Sequence, residues 1–278
     1  TSRVATAGCN EVNPAIHLFR SDALDVLGFN YHEQYLEPFL RNFPGRKLIG
    51  SESTSALMTR GYYEMPSDHI YIRPESWDKP FEAPEHVCSS YDNCHVPWGS
   101  THEKTWHLVK TLPHVSGLFV WTGFDYLGEP TPYWWPSRSS FFGIVDLAGF
   151  PKDVYYMYKS EWTDEPVLHI FPHWNWKEGE RVDIWAYYNN ADEVELYLNG
   201  KSLGVRQKTD STYHVSWRVP FTPGTLRAVS RLGGKEVLVK EIHTAGEPAR
   251  LVLTPDRSVI QADGSDLSFV TVDVCDID

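Results

Sequence analysis

Near Thr163 the hydrophobic periodicity of the chain changes, and no single repeating architecture accommodates both sides of that change. Before it, short apolar runs at 3–7, 25–29, 47–51 and 117–121 alternate with helix-like patterns, as consecutive β/α units require. After it the period is two. Arg181-Val182-Asp183-Ile184-Trp185-Ala186-Tyr187 alternates cleanly, and Val194-Glu195-Leu196-Tyr197-Leu198 alternates again before Asn199-Gly200, a pair suited to a two-residue hairpin turn. Further strands at 213–219, 225–230 and 236–242, with no helix between them, predict an immunoglobulin-like β-sandwich over 163–245. Past Gly246-Glu247-Pro248 only two strand runs remain, at 250–253 and 267–274, too few to close a sandwich. Residues 246–278 therefore read as the start of a further, truncated β domain, and the fold class is α/β followed by all-β.

Four parallel strands with crossovers make half of an eight-stranded (β/α)8 barrel, and alone they leave two open edges. Helical spacing predicts helices over 33–40, where Pro38 must sit in the first turn or kink the axis, and over 101–112. The weakly periodic, Pro- and Tyr-rich stretch from Met58 to Val96 has the length of a functional lid or rim.

A chain of 278 residues that is 41% hydrophobic and 14% aromatic has ample material for a packed core. Its formal net charge of −12 argues against nucleic acid or an anionic membrane surface as partner and suits a neutral substrate. Flat rings are platforms for the C–H faces of sugars as well as core filler, which gives the 11 Trp and 15 Tyr a second reading. Cys9, Cys88, Cys94 and Cys275 show no C-x-x-C spacing; a Cys88–Cys94 bridge and free thiols both fit. No apolar run is long enough to span a bilayer, and there is no leader peptide. Both ends look cut through a domain, so the missing leader says nothing about where the parent protein resides.

The chemistry concentrates at the C-terminal ends of the barrel-type strands, where that fold places its active sites. Lys47-Leu48-Ile49-Gly50-Ser51 is an apolar strand stopping on Glu52, and small polar residues follow, so Glu52 faces a cleft or else caps what comes next. Gly117-Leu118-Phe119-Val120 ends on Trp121, an indole at the same rim, suited to stacking on a sugar or to covering the barrel end. Asn30-Tyr31 ends a third strand with an amide and a phenol able to orient a carboxylate. Asp125, Glu129 and Asp146 sit in glycine-rich loops and suit turn stabilisation. His102 and His107 mimic a metalloprotease helix, but at i+5 they diverge by about 140° and cannot readily share a zinc. The remaining histidines show no metal-ligand spacing, and no nucleophile elbow, P-loop or dinucleotide fingerprint occurs.

In order and spacing, the stretches DVLGFNY at 25–31, IGSES at 49–53, GLFVWTGFDYLGEPTPY at 117–133 and FGIVDLAGFPK at 142–152 resemble the β-galactosidases of glycoside hydrolase family 2. The resemblance covers residues 1 to about 245 and implies the C-terminal half of the catalytic barrel over 1–162, then the sandwich. It implies Glu52 as nucleophile at the end of the seventh barrel strand, Trp121 as the sugar-stacking indole ending the eighth, and Asn30 and Tyr31 at the rim of the sixth. It also implies a cis peptide between Trp121 and Thr122. The family's acid/base is the glutamate of an Asn-Glu pair ending the fourth strand, which would precede Thr1. Asn10-Glu11 follows the fifth strand and does not correspond.

The activity implied is removal of terminal β-galactosyl groups from oligo- or polysaccharides by double displacement, with β-glucuronides and β-mannosides as the sugars of close relatives. No cofactor is implied, although some relatives use Mg²⁺ or Na⁺ at the cleft. The family's habit of export points to a bacterial periplasmic or secreted parent. Two other roles fit an isolated piece of such an enzyme: a sugar-binding module without turnover, and a structural unit whose sandwich serves as spacer or homo-oligomer contact.

Overall fold

A computed structural model describes residues 3–76, 78–79, 81 and 85–278. Its first sheet holds the strands Thr6–Cys9, Val26–Asn30, Lys47–Thr54 and Val115–Trp121, all parallel and ordered as in the chain. Leu27, Phe29 and Leu48 turn one face of this sheet onto Phe19, Phe39 and Phe43, forming a core that excludes water. The opposite face carries small residues. A Cβ on Gly28 would lie 2.4 Å from the Ala7 carbonyl oxygen and 2.9 Å from Ser51 Oγ, so only glycine lets those strands approach.

Several element boundaries differ from the sequence expectation for physical reasons. The helix expected over 33–40 is instead a 3₁₀ turn, Glu33–Tyr35, and a short helix, Phe39–Asn42, because Pro38 interrupts the amide ladder and becomes the cap of the second piece. The strand expected to stop before Glu52 runs on to Thr54, since Ser53 and Thr54 pair with Val120 and Trp121. The helix at His102–Thr111 forms as expected, with the Thr101 hydroxyl accepting from the Lys104 amide at 3.3 Å. A second ten-residue helix, Asp153–Trp162, buries Val154, Met157 and Tyr158.

Beyond residue 163 the sheets are antiparallel. Leu168–Phe171, Arg181–Tyr188 and His214–Pro220 make three strands, and Glu193–Leu198, Lys201–Arg206, Thr225–Leu232 and Lys235–His243 make four. The two sheets enclose a common core that includes Trp174, Ile184, Leu196, Trp217 and Ala228. Asn199 and Gly200 both have positive φ, 51° and 78°, and connect Leu198 directly to Lys201 as a tight hairpin turn. Arg250–Pro255 and Val270–Cys275 form a separate two-stranded ribbon.

Among the described residues of the stretch from Met58 to Val96, several pack inward as a lid would not. Met58 and Tyr91 share a core with Met157, Tyr158, Phe171, Trp185 and Tyr187, which joins the parallel-sheet part to the antiparallel part. The Tyr91 hydroxyl donates to the Asp183 carbonyl at 2.5 Å, and Ser67 donates to the Asp183 carboxylate through both its amide and its hydroxyl. Cys88 and Cys94 are buried free thiols. Among the described residues no helix is long and apolar enough to cross a membrane.

Candidate active site

The register of the parallel sheet brings three separate sequence segments to one rim. Asn30 lies opposite Glu52, and Trp121 lies opposite Thr54, one strand further on. Past the end of its strand Tyr31 swings into the left-handed region, φ 57°, and its amide donates to the Glu52 carbonyl at 2.6 Å. That turn carries the phenol back over the strand end, where the hydroxyl donates to Glu52 Oε2 at 2.9 Å. The Tyr31 hydroxyl is held firmly in its protonated form, first by burial and then by the adjacent carboxylate of Glu52.

Glu52 is half-buried and therefore reachable by a small molecule. The backbone beneath it is strained. Thr54 and Ser55 both have positive φ, 83° and 52°, which for a β-branched residue is an outlier costing about 1–3 kcal/mol and found mainly where function imposes it. Asn30 is buried and fully engaged: it accepts from Ser51 Oγ at 2.7 Å and donates from Nδ2 to Asn10 Oδ1 at 2.9 Å. It thus braces the strand end, and Tyr31 touches the carboxylate.

Trp121 is half-buried beside the edge of Tyr126, ring centroids 5.9 Å apart. Its peptide to Thr122 is cis. The following loop is fastened by Lys152, buried on all sides, whose ammonium donates to the Met58 carbonyl at 2.6 Å, to Asp125 at 2.9 Å and to the Phe141 carbonyl at 3.3 Å. Asp125 also accepts from the Gly143 amide. Asp146 accepts the amides of Ala148 and Phe150 and pairs with Arg60. Both aspartates thus hold turns.

Glu129 does more than hold a turn. Its carboxylate accepts from the Tyr126 hydroxyl, and the Tyr126 ring lies against Trp121, so the loop returns a second carboxylate toward the rim. Asn10 is a further rim residue, binding both Asn30 and the His32 ring, which donates to its carbonyl at 2.6 Å. Sequence reasoning did not assign a site role to Asn10, Tyr126 or Glu129. The signal available was their place just past a strand end, which many turn residues share. Glu11 is exposed and accepts the Asn13 amide in its own turn.

The paired histidines of the Thr101 helix turn to different partners, His102 to the Tyr158 hydroxyl at 2.8 Å and His107 toward the Tyr213 hydroxyl at 3.3 Å. Among the described residues no three His, Cys, Asp or Glu side chains come together as a metal site.

The family described as "Domain of unknown function (DUF4982)" matches residues 179–238. Over 275 residues the chain is 61% identical to a protein of Bacteroides ovatus named "Beta-galactosidase BoGH2A", covering 99% of this chain and 32% of that protein. A "Beta-glucuronidase" of Formosa agariphila is 32% identical over 262 residues, which is 91% of this chain and 25% of that protein. The chain thus spans a quarter to a third of the length of these relatives. Among solved structures, a beta-glycosidase from Bacteroides vulgatus superposes with a TM-score of 0.80 at 32% identity, over 91% of this chain and 35% of that one. A glycosyl hydrolase family 2 member from Bacteroides cellulosilyticus gives 0.68 at 28% identity, over 100% of this chain and 33% of that one.

Proposed function

The chain belongs to glycoside hydrolase family 2, and from that premise we propose that it carries the nucleophile half of a retaining β-galactosidase site. In this reading residues 1–162 are the C-terminal half of a (β/α)8 barrel, 163–245 an immunoglobulin-like sandwich and 246–278 the beginning of another β domain. The four parallel strands ordered as in the chain, and the two facing antiparallel sheets, support that division.

The observation that carries the assignment is the Tyr31 hydroxyl resting on Glu52 Oε2 at 2.9 Å at the C-terminal rim of a parallel sheet, with Trp121 beside it. A carboxylate held by one donor on one oxygen leaves the other oxygen to attack. Glu52 displaces the leaving group at the anomeric carbon, forming a glycosyl ester, and water then releases the sugar with its anomeric configuration retained. Trp121 supplies a flat face for the ring, and Asn30 fixes the strand end from which Tyr31 turns. The proton for the leaving oxygen comes from a second carboxylate about 5 Å from the first, which in the family precedes the position of Thr1.

A neutral terminal sugar is supported by the relatives, the one named a beta-galactosidase being 61% identical and the one named a beta-glucuronidase 32%.

A trapping experiment tests the assignment. A 2-deoxy-2-fluoro-β-galactoside with a dinitrophenolate leaving group needs no proton donor, so it interrogates Glu52 alone. Mass spectrometry is expected to find one fluorogalactosyl group on the peptide containing Glu52, and none after Glu52→Gln. Label on a different carboxylate, or labelling only by the glucuronyl analogue, would overturn the nucleophile or the sugar respectively.

A further inference from the structure

The loop that returns Glu129 to the rim continues into an aromatic hollow that the chemistry at Glu52 does not use. We infer that this hollow, walled by Trp98, Trp134 and Trp135, binds the saccharide chain on the leaving-group side of the nucleophile, an inference that rests on the glycosidase reading above.

The hollow has a volume of about 320 Å³, at the lower end of small-molecule sites, which run from about 300 to 1,000 Å³. Trp134 is 67% exposed and Trp135 76% exposed, an arrangement that wastes two of the largest apolar side chains unless something covers them. Their exposure is built in. Tyr133, between Pro132 and the two tryptophans, is buried at 2%, with its hydroxyl donating to the Val87 carbonyl and its ring against Phe81 and Phe141. One anchored ring therefore holds its two neighbours outward. Pro130, Pro132 and Pro136 restrict the backbone around them, so little conformational freedom is left to lose on binding.

The occupant follows from the lining and from continuity with the rim. A pyranose offers a C–H face to an indole and directs its hydroxyls sideways, and Thr131 and Lys79 in the same hollow present the polar groups those hydroxyls need. Arg138 lies over the Trp135 ring at 4.6 Å, which holds that indole in position and still leaves most of it open. Pro130, at the edge of the hollow, directly follows Glu129, whose carboxylate accepts from the hydroxyl of Tyr126, the ring that lies against Trp121. Trp98 and Trp121 pack against the same buried cluster, and Trp98 also lines the neighbouring hollow beside His32. A chain whose terminal sugar lies on Glu52 therefore has its next units over the tryptophans.

Calorimetric titration of the 278-residue chain with galactose and with a β-galactosyl-terminated oligosaccharide tests this. The oligosaccharide is expected to bind about tenfold more tightly than galactose. That advantage should survive Glu52→Gln and vanish in the Trp134→Ala/Trp135→Ala variant, whereas a Trp134→Tyr/Trp135→Tyr variant, which keeps two stacking rings, should retain most of it. An oligosaccharide with no advantage over galactose, or an advantage untouched by the alanine pair, overturns the proposal even if Glu52 is labelled as above. Failure of labelling with the advantage intact would instead strike the nucleophile assignment. If the alanine pair dissociates a dimer and leaves sugar affinity unchanged, the hollow is covered by a second copy and the inference is wrong.

Discussion

In the proposed mechanism Glu52 attacks carbon, and its carboxylate is held in place by a phenol and not by a cation. The Tyr31 hydroxyl donates to Oε2, and the desolvation of the half-buried ring keeps its proton in place, so the phenol serves as a donor. A hydrogen bond to a charged group is worth about 1.5–3 kcal/mol, part of it in orientation. Replacing Tyr31 by Phe is therefore expected to slow formation of the glycosyl ester from a dinitrophenyl galactoside by about ten- to a hundredfold, with a smaller change in KM. Stopped-flow release of dinitrophenolate measures this, and a variant within twofold of the parent would remove Tyr31 from the mechanism. At this scale the sequence was informative about position, since Glu52 and Trp121, each following an apolar run, come to one rim of the parallel sheet. It read Glu129 as a turn residue and set Asn10 aside, because the contacts of Asn10 with Asn30 and of Glu129 with Tyr126 arise from a register and a loop return that no local pattern encodes.

Among the elements, the segment from Thr122 to Lys152 has little regular structure and yet must present Trp121 and Glu129 accurately. Lys152 solves this with one ammonium that ties Asp125 to the carbonyls of Met58 and Phe141. Burial lowers the Lys152 ammonium's proton affinity and raises that of the Asp125 carboxyl, and in each case the partner's charge opposes the shift. Removing one member leaves the other buried without compensation, which typically costs about 3–5 kcal/mol, whereas replacing both is far milder. Urea denaturation should accordingly show Lys152→Met much less stable than Asp125→Asn/Lys152→Met; equal losses would mean that the pair holds nothing in place. Glu193–Leu198 was legible because fully buried positions alternate with half-buried ones, whereas Arg181–Tyr188 is buried on both faces from Val182 onward, one set of side chains in the sandwich core and Trp185 and Tyr187 in the core that joins it to the parallel sheet. The Asp153–Trp162 helix was overlooked although Val154, Met157 and Tyr158 have helical spacing, because Phe150-Pro151 just before it reads as the end of a loop. The split of 33–40 at Pro38 was foreseeable in kind, but its extent depended on how Leu36 and Phe39 reach the sheet.

At the scale of the whole molecule, the parallel and antiparallel parts are joined by a shared aromatic core and by a buried polar seam around the first turn of the Thr101 helix. Asp92 accepts the amides of His102 and Glu103, Glu103 pairs with His214 at 2.6 Å, and the His214 ring stacks on Trp185 at 3.5 Å. No sequence pattern announced this seam, since its members come from three distant segments. Burial, reinforced by Glu103, pushes the Asp92 carboxyl up to about 7, while burial, reinforced by Lys152, pushes His102 down to about 3. The two shifts have opposite consequences over one pH window. Between about 4 and 7 the folded Asp92 retains a proton that the unfolded chain has lost, so its contribution to stability falls as pH rises. Between about 3 and 6.5 the unfolded chain protonates His102 and the folded state does not, so this contribution rises with pH. Asp183 and Glu161 have lowered carboxyl values, and their effects are confined to more acid conditions. The parent chain should therefore show little net slope from these two groups between pH 4.5 and 6.5. Asp92→Asn, which removes one of the opposing terms, should gain stability with pH by up to about 1.4 kcal/mol per unit over that range. Denaturation midpoints of parent and variant at matched pH check this, and parallel curves would show that the seam does not hold a proton on Asp92.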